Sequence, residues 1–312
     1  MHKEITAFII HKGTSWYLDN TLNSLKRAGW GNIVILGDKS NSKYSQLPGV
    51  RHVDLDTIYS DHISFLQDNY YHIGVTPPDY EKFCFLRWVY LEAIVKQMNL
   101  NNIMLIDSDV LFFASPEQVL EIIDGPSSYF VTLKHNPSCF ISNNAVDILN
   151  NLARFIVGIY RKSKEDIHDW VSHKQNLRLH TSKSENFYTK YKNALHYSDM
   201  DMLQEFWEAC SGMHTLSAYQ INHKVNHSLL PGLANPSGNL FFDSNFVSVK
   251  TKNTYWKKNV LRVDDKLVSS LHFQGMSKRY ISIVDAICSA PIEATFSIDI
   301  NDNLVVGYDV NC

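Results

Sequence analysis

Ile103-Met104-Leu105-Ile106-Asp107-Ser108-Asp109 (IMLIDSD, residues 103–109) reads as a short buried strand that ends abruptly in two carboxylates. Four consecutive apolar residues without polar alternation suit a strand covered by helices on both faces, as in parallel sheets. Upstream, a helix over about Tyr80 to Met98 carries Leu86, Val89, Tyr90, Ala93 and Ile94 on one side and feeds that strand. Further back, Ile5 to Ile10 (ITAFII) is a first strand and Gly13 turns the chain. Thr14 or Ser15 can then cap a helix with Leu18, Leu22 and Leu25 at helical spacing as far as Gly29. Ile33 to Leu36 is a second strand, stopped by Gly37 and Asp38. The alternation predicts βαβ units and a mostly parallel sheet.

Downstream, Val110 to Phe113 continues as an extended run, Ser115 and Pro116 start another helix, and Tyr129 to Leu133 is one more strand. From Asn143 to about Tyr197 the pattern is helical and polar. Within it, residues 161–196 hold eight Lys/Arg against four Asp/Glu, a basic insert in a chain whose net charge is −3. A solvated face is its plain meaning, and contact with an anionic acceptor or membrane surface the other. The last hundred residues mix short strands with a helix from about Ser277 to Ser289.

Composition excludes several classes. With 312 residues, 45% of them hydrophobic, the chain can build one large α/β domain or two ordinary ones. A net charge of −3 lacks the basic excess that grips nucleic-acid phosphates, so no nucleic-acid partner is expected. No run of about 18 apolar residues is present and the N-terminus carries no signal-like segment, which predicts a cytoplasmic protein. Cys84, Cys139, Cys210, Cys288 and Cys312 are scattered without metal-ligand spacing and read as reduced thiols.

Ligands of open parallel sheets bind beyond the carboxyl ends of the strands. Asp107 and Asp109 stand at such an end, and as residues i and i+2 of an extended segment they can face one cation. A turn that uses Asp for local hydrogen bonds is the plain alternative. A second constellation is Leu271 to Lys278 (LHFQGMSK). There His272 offers an imidazole, Gly275 a close backbone approach and Lys278 a charge for phosphate, while Ser277 can cap the following helix.

IDSD at 106–109 combined with HFQGMSK at 272–278 resembles the metal-dependent GT-A nucleotide-sugar glycosyltransferases, with the family 8 pattern of DxD followed by HxxGxxK. FCFLRWVYLEAIV, HKGTSWYLDNTL and ILGDKSN also look like bacterial transferases of surface-polysaccharide gene clusters, and the resemblance spans residues 5 to 285. It implies a GT-A (Rossmann-like) α/β fold: a mostly parallel sheet flanked by helices, with a helical insert and a small C-terminal mixed region. Residues 1–140 would bind the nucleotide sugar. Residues 141–312 would supply the acceptor-side insert and the HxxGxxK, in one continuous domain.

By the same resemblance Asp107, Asp109 and His272 ligate manganese or magnesium, while Gly275 and Lys278 hold the donor diphosphate. Arg87 lies near the nucleotide, with a surface charge on its helix as the plain alternative, and His11 and Lys12 receive the nucleoside, with a plain loop residue as the alternative for His11 and a UDP-sugar as the donor implied. The family's DQD triplet corresponds to Asp199, Met200 and Asp201. Met200 replaces an amide, so stereochemical retention is not inherited, and Asp199 or Asp201 can act as a general base or bind acceptor hydroxyls. An acidic first turn of a helix running to Cys210 is the plain alternative. The acceptor would be a glycan or lipid-linked saccharide, met at the inner membrane face through the basic insert.

Two other readings compete. MLIDSDVLF also resembles the nucleophile strand of haloacid-dehalogenase-like phosphatases, although no downstream acidic pair is evident. A non-catalytic carbohydrate-binding protein on the same fold is the other. A nucleotidyltransferase fits less well, because HKGTSW stands where its Gly-rich loop would be.

Overall fold

The computed structural model describes residues 4–123, 130–133, 136–181, 195–211, 233–234, 240–242, 254–257, 260–263, 266–273, 275–290, 293–298 and 304–308. Its residues cluster into two compact units, each discontinuous in sequence: 1–54, 102–144 and 215–312 form one, 55–101 and 145–214 the other.

The first unit holds a six-stranded sheet. Strands β1 (Thr6–His11), β2 (Ile33–Gly37), β3 (Val50–Asp54) and β4 (Ile103–Ile106) run parallel in the order β3-β2-β1-β4. Beyond β4, β7 (Asn136–Ser142) and β6 (Phe130–Leu133) extend the sheet in antiparallel pairing. Strand β3 escapes the sequence pattern because VRHVD alternates only weakly and four of its five residues are incompletely buried. The chain leaves β1 toward β2 on one side and places β4 on the other, so a topological switch point opens at the carboxyl ends of β1 and β4.

Helices cover this sheet because both faces of β1, β2 and β4 are apolar and buried. Leu18, Leu22 and Leu25 of α1 (Tyr17–Arg27), with Val119 and Ile123 of α4 (Pro116–Ile123), pack on Ala7, Ile9, Ile33, Ile35, Met104 and Ile106. Neither Thr14 nor Ser15 caps α1: its N-cap is Trp16, without a side-chain bond. At its other end Gly29 takes φ 91°, a left-handed conformation that closes the helix through Gly29 N–H to Lys26 O and Trp30 N–H to Leu25 O. Ser115 does cap α4, donating its N–H to Gln118 Oε1 while its Oγ accepts from Gln118 N–H.

Val110 to Phe113 is extended as expected, over Val110–Phe112. Its strand, β5 (Val110–Phe112), leaves the first sheet and pairs antiparallel with β12 (Lys266–His272) of a second, C-terminal sheet, which also holds β8 (Leu233–Ala234), β9 (Leu240–Phe242), β10 (Thr254–Lys257) and β11 (Val260–Val263). The expected helix from Ser277 is shorter: residues Gly275–Tyr280 form a 3-10 turn, and the α-helix spans Ile281–Ser289 behind Tyr280. Ser277 is therefore not its cap. Arg27 Nη2, 2.9 Å from Asp285 Oδ1, ties that helix to α1.

The second unit is helical: α2 (Asp61–Asn69), α3 (Pro78–Met98), α5 (Ala145–Tyr160), α6 (Lys164–Thr181) and a helix Asp199–Ser211. Instead of one apolar stripe, α3 is buried almost all round between Phe85 and Val95, because α2, α5 and the Asp199–Ser211 helix all pack on it. Its core is aromatic, with Phe85 in ring contact with Tyr70, Tyr160 and Tyr197. Of the basic insert, residues 182–194 lie outside the described residues. Among the described residues no helix is long and apolar enough to cross a membrane.

Candidate metal and donor site

The site grows from the turn Asp107-Ser108-Asp109, which carries the chain from β4 in one sheet to β5 in the other. Several bonds hold that turn. Thr21 Oγ1 donates to Ser108 O at 2.7 Å, His11 Nδ1 lies 2.9 Å from Ser108 Oγ, and Phe112 N–H donates to Ser24 Oγ at 2.9 Å. The β5–β12 pairing then sets Val110 opposite His272, and Phe273 N–H donates to Asp109 O at 2.9 Å. Strand register, rather than a flexible loop, delivers the imidazole to the acids.

One ligand atom each of Asp107, Asp109 and His272 lies within 4.8 Å of the others. Oxygen and imidazole ligands about 2.0–2.6 Å from one ion fit inside such a spread. Two oxygen donors and one nitrogen suit manganese or magnesium. Cys139, opposite Ile106 in β7, does not add a soft donor: burial, helped by the Asp107 charge, pushes its thiol up and keeps it protonated. The residues present therefore fit a hard divalent cation.

The charge of Asp109 is already compensated. Asp109 is buried, its Oδ1 3.3 Å from His272 Nε2 and its Oδ2 2.9 Å from Lys278 Nζ. Burial alone would raise its carboxyl, but the hydrogen bond and charge of His272, with Lys278, hold it below the usual carboxylate range. Burial likewise opposes the Lys278 charge, yet Asp109 and Tyr17 raise it, so the ammonium persists. Its Nζ sits 4.6 Å from the centre of the Tyr17 ring. His11 is also buried, and burial holds its imidazole below the ordinary value, Lys278 adding to the effect against Asp38 and Asp109. A neutral His11 keeps Nε2 buried without a hydrogen-bond partner among the described residues, a vacancy a ligand can satisfy.

The remaining predicted residues divide. Lys12 is exposed just beyond β1, and Gly275 opens the 3-10 turn that returns Lys278 to Asp109. Arg87 and Asp199 meet in the helical unit, Nη2 to Oδ2 at 2.6 Å, with Trp88 Nε1 donating to the same oxygen at 3.3 Å. Asp201 Oδ2 accepts from Ser198 N–H and Oγ at 3.0 and 2.9 Å, while Ser198 Oγ accepts from Asp201 N–H at 3.3 Å. That reciprocal pattern is a capping box at the start of the helix. Sequence reasoning missed three contributors: Ser108, Tyr17, and Glu81, whose Oε1 accepts from Asp199 N–H at 3.2 Å. Ser108 was findable between its two acids; Tyr17 and Glu81 carry no local signal.

No protein-family model matches the chain, and no curated protein does either. Among solved structures it is similar to mouse xyloside xylosyltransferase 1 in its apo form, with a TM-score of 0.40, 9% identity, and 66% of this chain and 82% of that one covered. The PaToxG glycosyltransferase gives 0.38, 10%, 70% and 74%. The galactosyltransferase LgtC with donor and acceptor sugar analogs gives 0.33, 13%, 64% and 70%. These likenesses are remote, and the functional reading rests on the side chains of the site.

Proposed function

We propose that the protein is a metal-dependent GT-A glycosyltransferase that moves a sugar from a nucleoside diphosphate, a UDP-sugar first among the candidates, to a glycan or lipid-linked acceptor in surface-polysaccharide synthesis. One observation carries the reading: Asp107, Asp109 and His272 converge at the switch point of a mostly parallel sheet, with the Lys278 ammonium on the same carboxylate. A dehalogenase-type phosphatase is less well served, because the third member of the cluster is an imidazole rather than a further acidic pair.

As the glycosidic bond to the diphosphate breaks, negative charge grows on the leaving group. A divalent cation held by Asp107, Asp109 and His272 would supply Lewis-acid stabilisation of that charge. Lys278, partly exposed beside it, is placed to move from Asp109 to a phosphate oxygen. His11 offers Nε2 to the donor, with its ring oriented by Ser108 and Tyr17. Lys12 and Gly275 would complete the donor side, and Arg87 the nucleotide contacts. Asp199 and Asp201 are the acidic candidates on the acceptor side, acting in the cytoplasm, where the basic insert would meet the inner membrane face.

Thermal-shift screening of nucleotide sugars with and without manganese tests the proposal. A donor that raises the melting temperature only with the metal, and is then converted to free nucleoside diphosphate, supports it. No metal-dependent shift with any donor overturns it.

A further inference from the structure

Within the helical unit, α5, α6 and the Asp199–Ser211 helix line a cleft of about 620 Å³ that shares no residue with the Asp107–Asp109–His272 cluster. That volume lies inside the roughly 300–1,000 Å³ range of small-ligand sites. Arg154, Lys162 and Lys174 line it against a single carboxylate, Glu205, leaving a surplus of positive charge. Glu205 is already matched, its Oε2 2.8 Å from Lys174 Nζ, and the ammonium has further N–H donors to give. Arg154 is exposed and has no ion-pair partner among the described residues. The apolar lining is aromatic: Phe155, backed by Phe206, and Trp170, backed by Tyr197.

Gly158 is the informative residue of the lining. Glycine inside a helix costs roughly 0.5–1 kcal/mol relative to alanine. Yet Gly158 does not have a positive φ, and a Cβ built on it meets nothing within 4 Å. Neither backbone conformation nor close packing calls for glycine here. An added side chain would instead project into open space at the cleft wall.

A cation-rich cleft with aromatic walls matches one ligand chemistry well. A phosphate takes the fork of an arginine and the point charge of a lysine, and the C–H face of a pyranose packs on an aromatic ring. We propose that this cleft is a binding site for a sugar phosphate, its phosphate held by Arg154 with the lysine ammonium groups and its ring set against Trp170 and Phe155. The anion half stands on charge and shape alone, and the sugar half rests on the transferase reading above.

Titration calorimetry of the full chain in EDTA, with α-glucose 1-phosphate, glucose and inorganic phosphate as probes, tests the assignment. Glucose 1-phosphate should bind at least ten-fold more tightly than either of its parts. Arg154→Gln and Gly158→Leu should each weaken it ten-fold or more while circular dichroism and melting temperature stay within error of the parent. Binding unchanged in both variants, or inorganic phosphate binding as tightly as the sugar phosphate, overturns the proposal. So does sedimentation with phosphatidylglycerol vesicles that Arg154→Gln abolishes and glucose 1-phosphate does not compete, which would assign the cleft to a membrane surface. Manganese-dependent nucleotide-sugar binding, measured on the same proteins, reports on the transferase reading separately: its failure with glucose 1-phosphate binding retained would sink that reading and leave the cleft assignment standing.

Discussion

His272 Nε2 stands 3.3 Å from Asp109 Oδ1 because the β5–β12 pairing places His272 opposite Val110, the residue that follows Asp109. The relationship is made by backbone hydrogen bonds between two strands far apart in the chain, so removing a side chain at the site should leave the scaffold standing. Asp109→Asn should abolish the manganese-dependent rise in melting temperature and lower sugar transfer about 100-fold to 1,000-fold, the usual cost of one electrostatic contact to a developing charge. Circular dichroism should be unchanged. Transfer at the parent rate with metal present would remove Asp109 from the site.

Lys278 occupies the same carboxylate from the other side. A metal ion and an ammonium compete for Asp109, whereas ammonium and diphosphate attract. Lys278→Gln should therefore bind manganese alone at least as tightly as the parent and bind nucleotide sugar more weakly, with a raised KM. Equal weakening of metal and donor would show that Lys278 only supports the fold.

The two acids of the 199–201 triplet should part company in stability. Asp199 is buried and paired with a mostly buried Arg87, so Asp199→Ala strands a guanidinium and should cost about 3–5 kcal/mol in urea unfolding. Loss of the capping box in Asp201→Ala should cost about 1 kcal/mol. If Asp201 serves as the base, Asp201→Asn will lose transfer far beyond that small destabilisation. Parent-level transfer in Asp201→Asn would assign the residue to capping alone.

Glu81 makes the helical unit sensitive to pH. Burial raises its carboxyl above the unfolded value of 4.5, with Asp199 adding to the effect against the Thr76 hydrogen bond. The folded state then binds a proton more readily than the unfolded one. Its charge is a cost present above the raised value and relieved as pH falls through it toward 4.5. Glu81→Gln should remove that contribution, so the gap in unfolding free energy between variant and parent should narrow as the pH falls from neutral toward 4.5. A gap independent of pH would show that Glu81 is not strained by burial.

Much of the first unit was legible in the residues themselves. The strands at Ile5, Ile33 and Ile103 announce themselves because four or more apolar residues in a row have few other uses in a chain of this composition. Helix α1 follows from Leu18, Leu22 and Leu25, and α4 from its Ser115 cap. Weakly patterned β3 was not legible, and neither was the all-round burial of α3, since both depend on what packs against them. Chemistry-bearing residue types could be read for the site as well, down to the acids at 107 and 109 and the imidazole at 272.

Local sequence thus determined which segments become strands and helices, and which side chains can ligate a cation, because propensity and periodicity act over a few residues. Tertiary structure alone decided that β5 abandons its parent sheet for β12, that His272 and Lys278 share Asp109, and that Arg87 is matched with Asp199. Those outcomes depend on strand register and on buried charges finding partners. Both are settled by contacts between segments distant in the chain, at a free-energy cost that no short window of sequence contains.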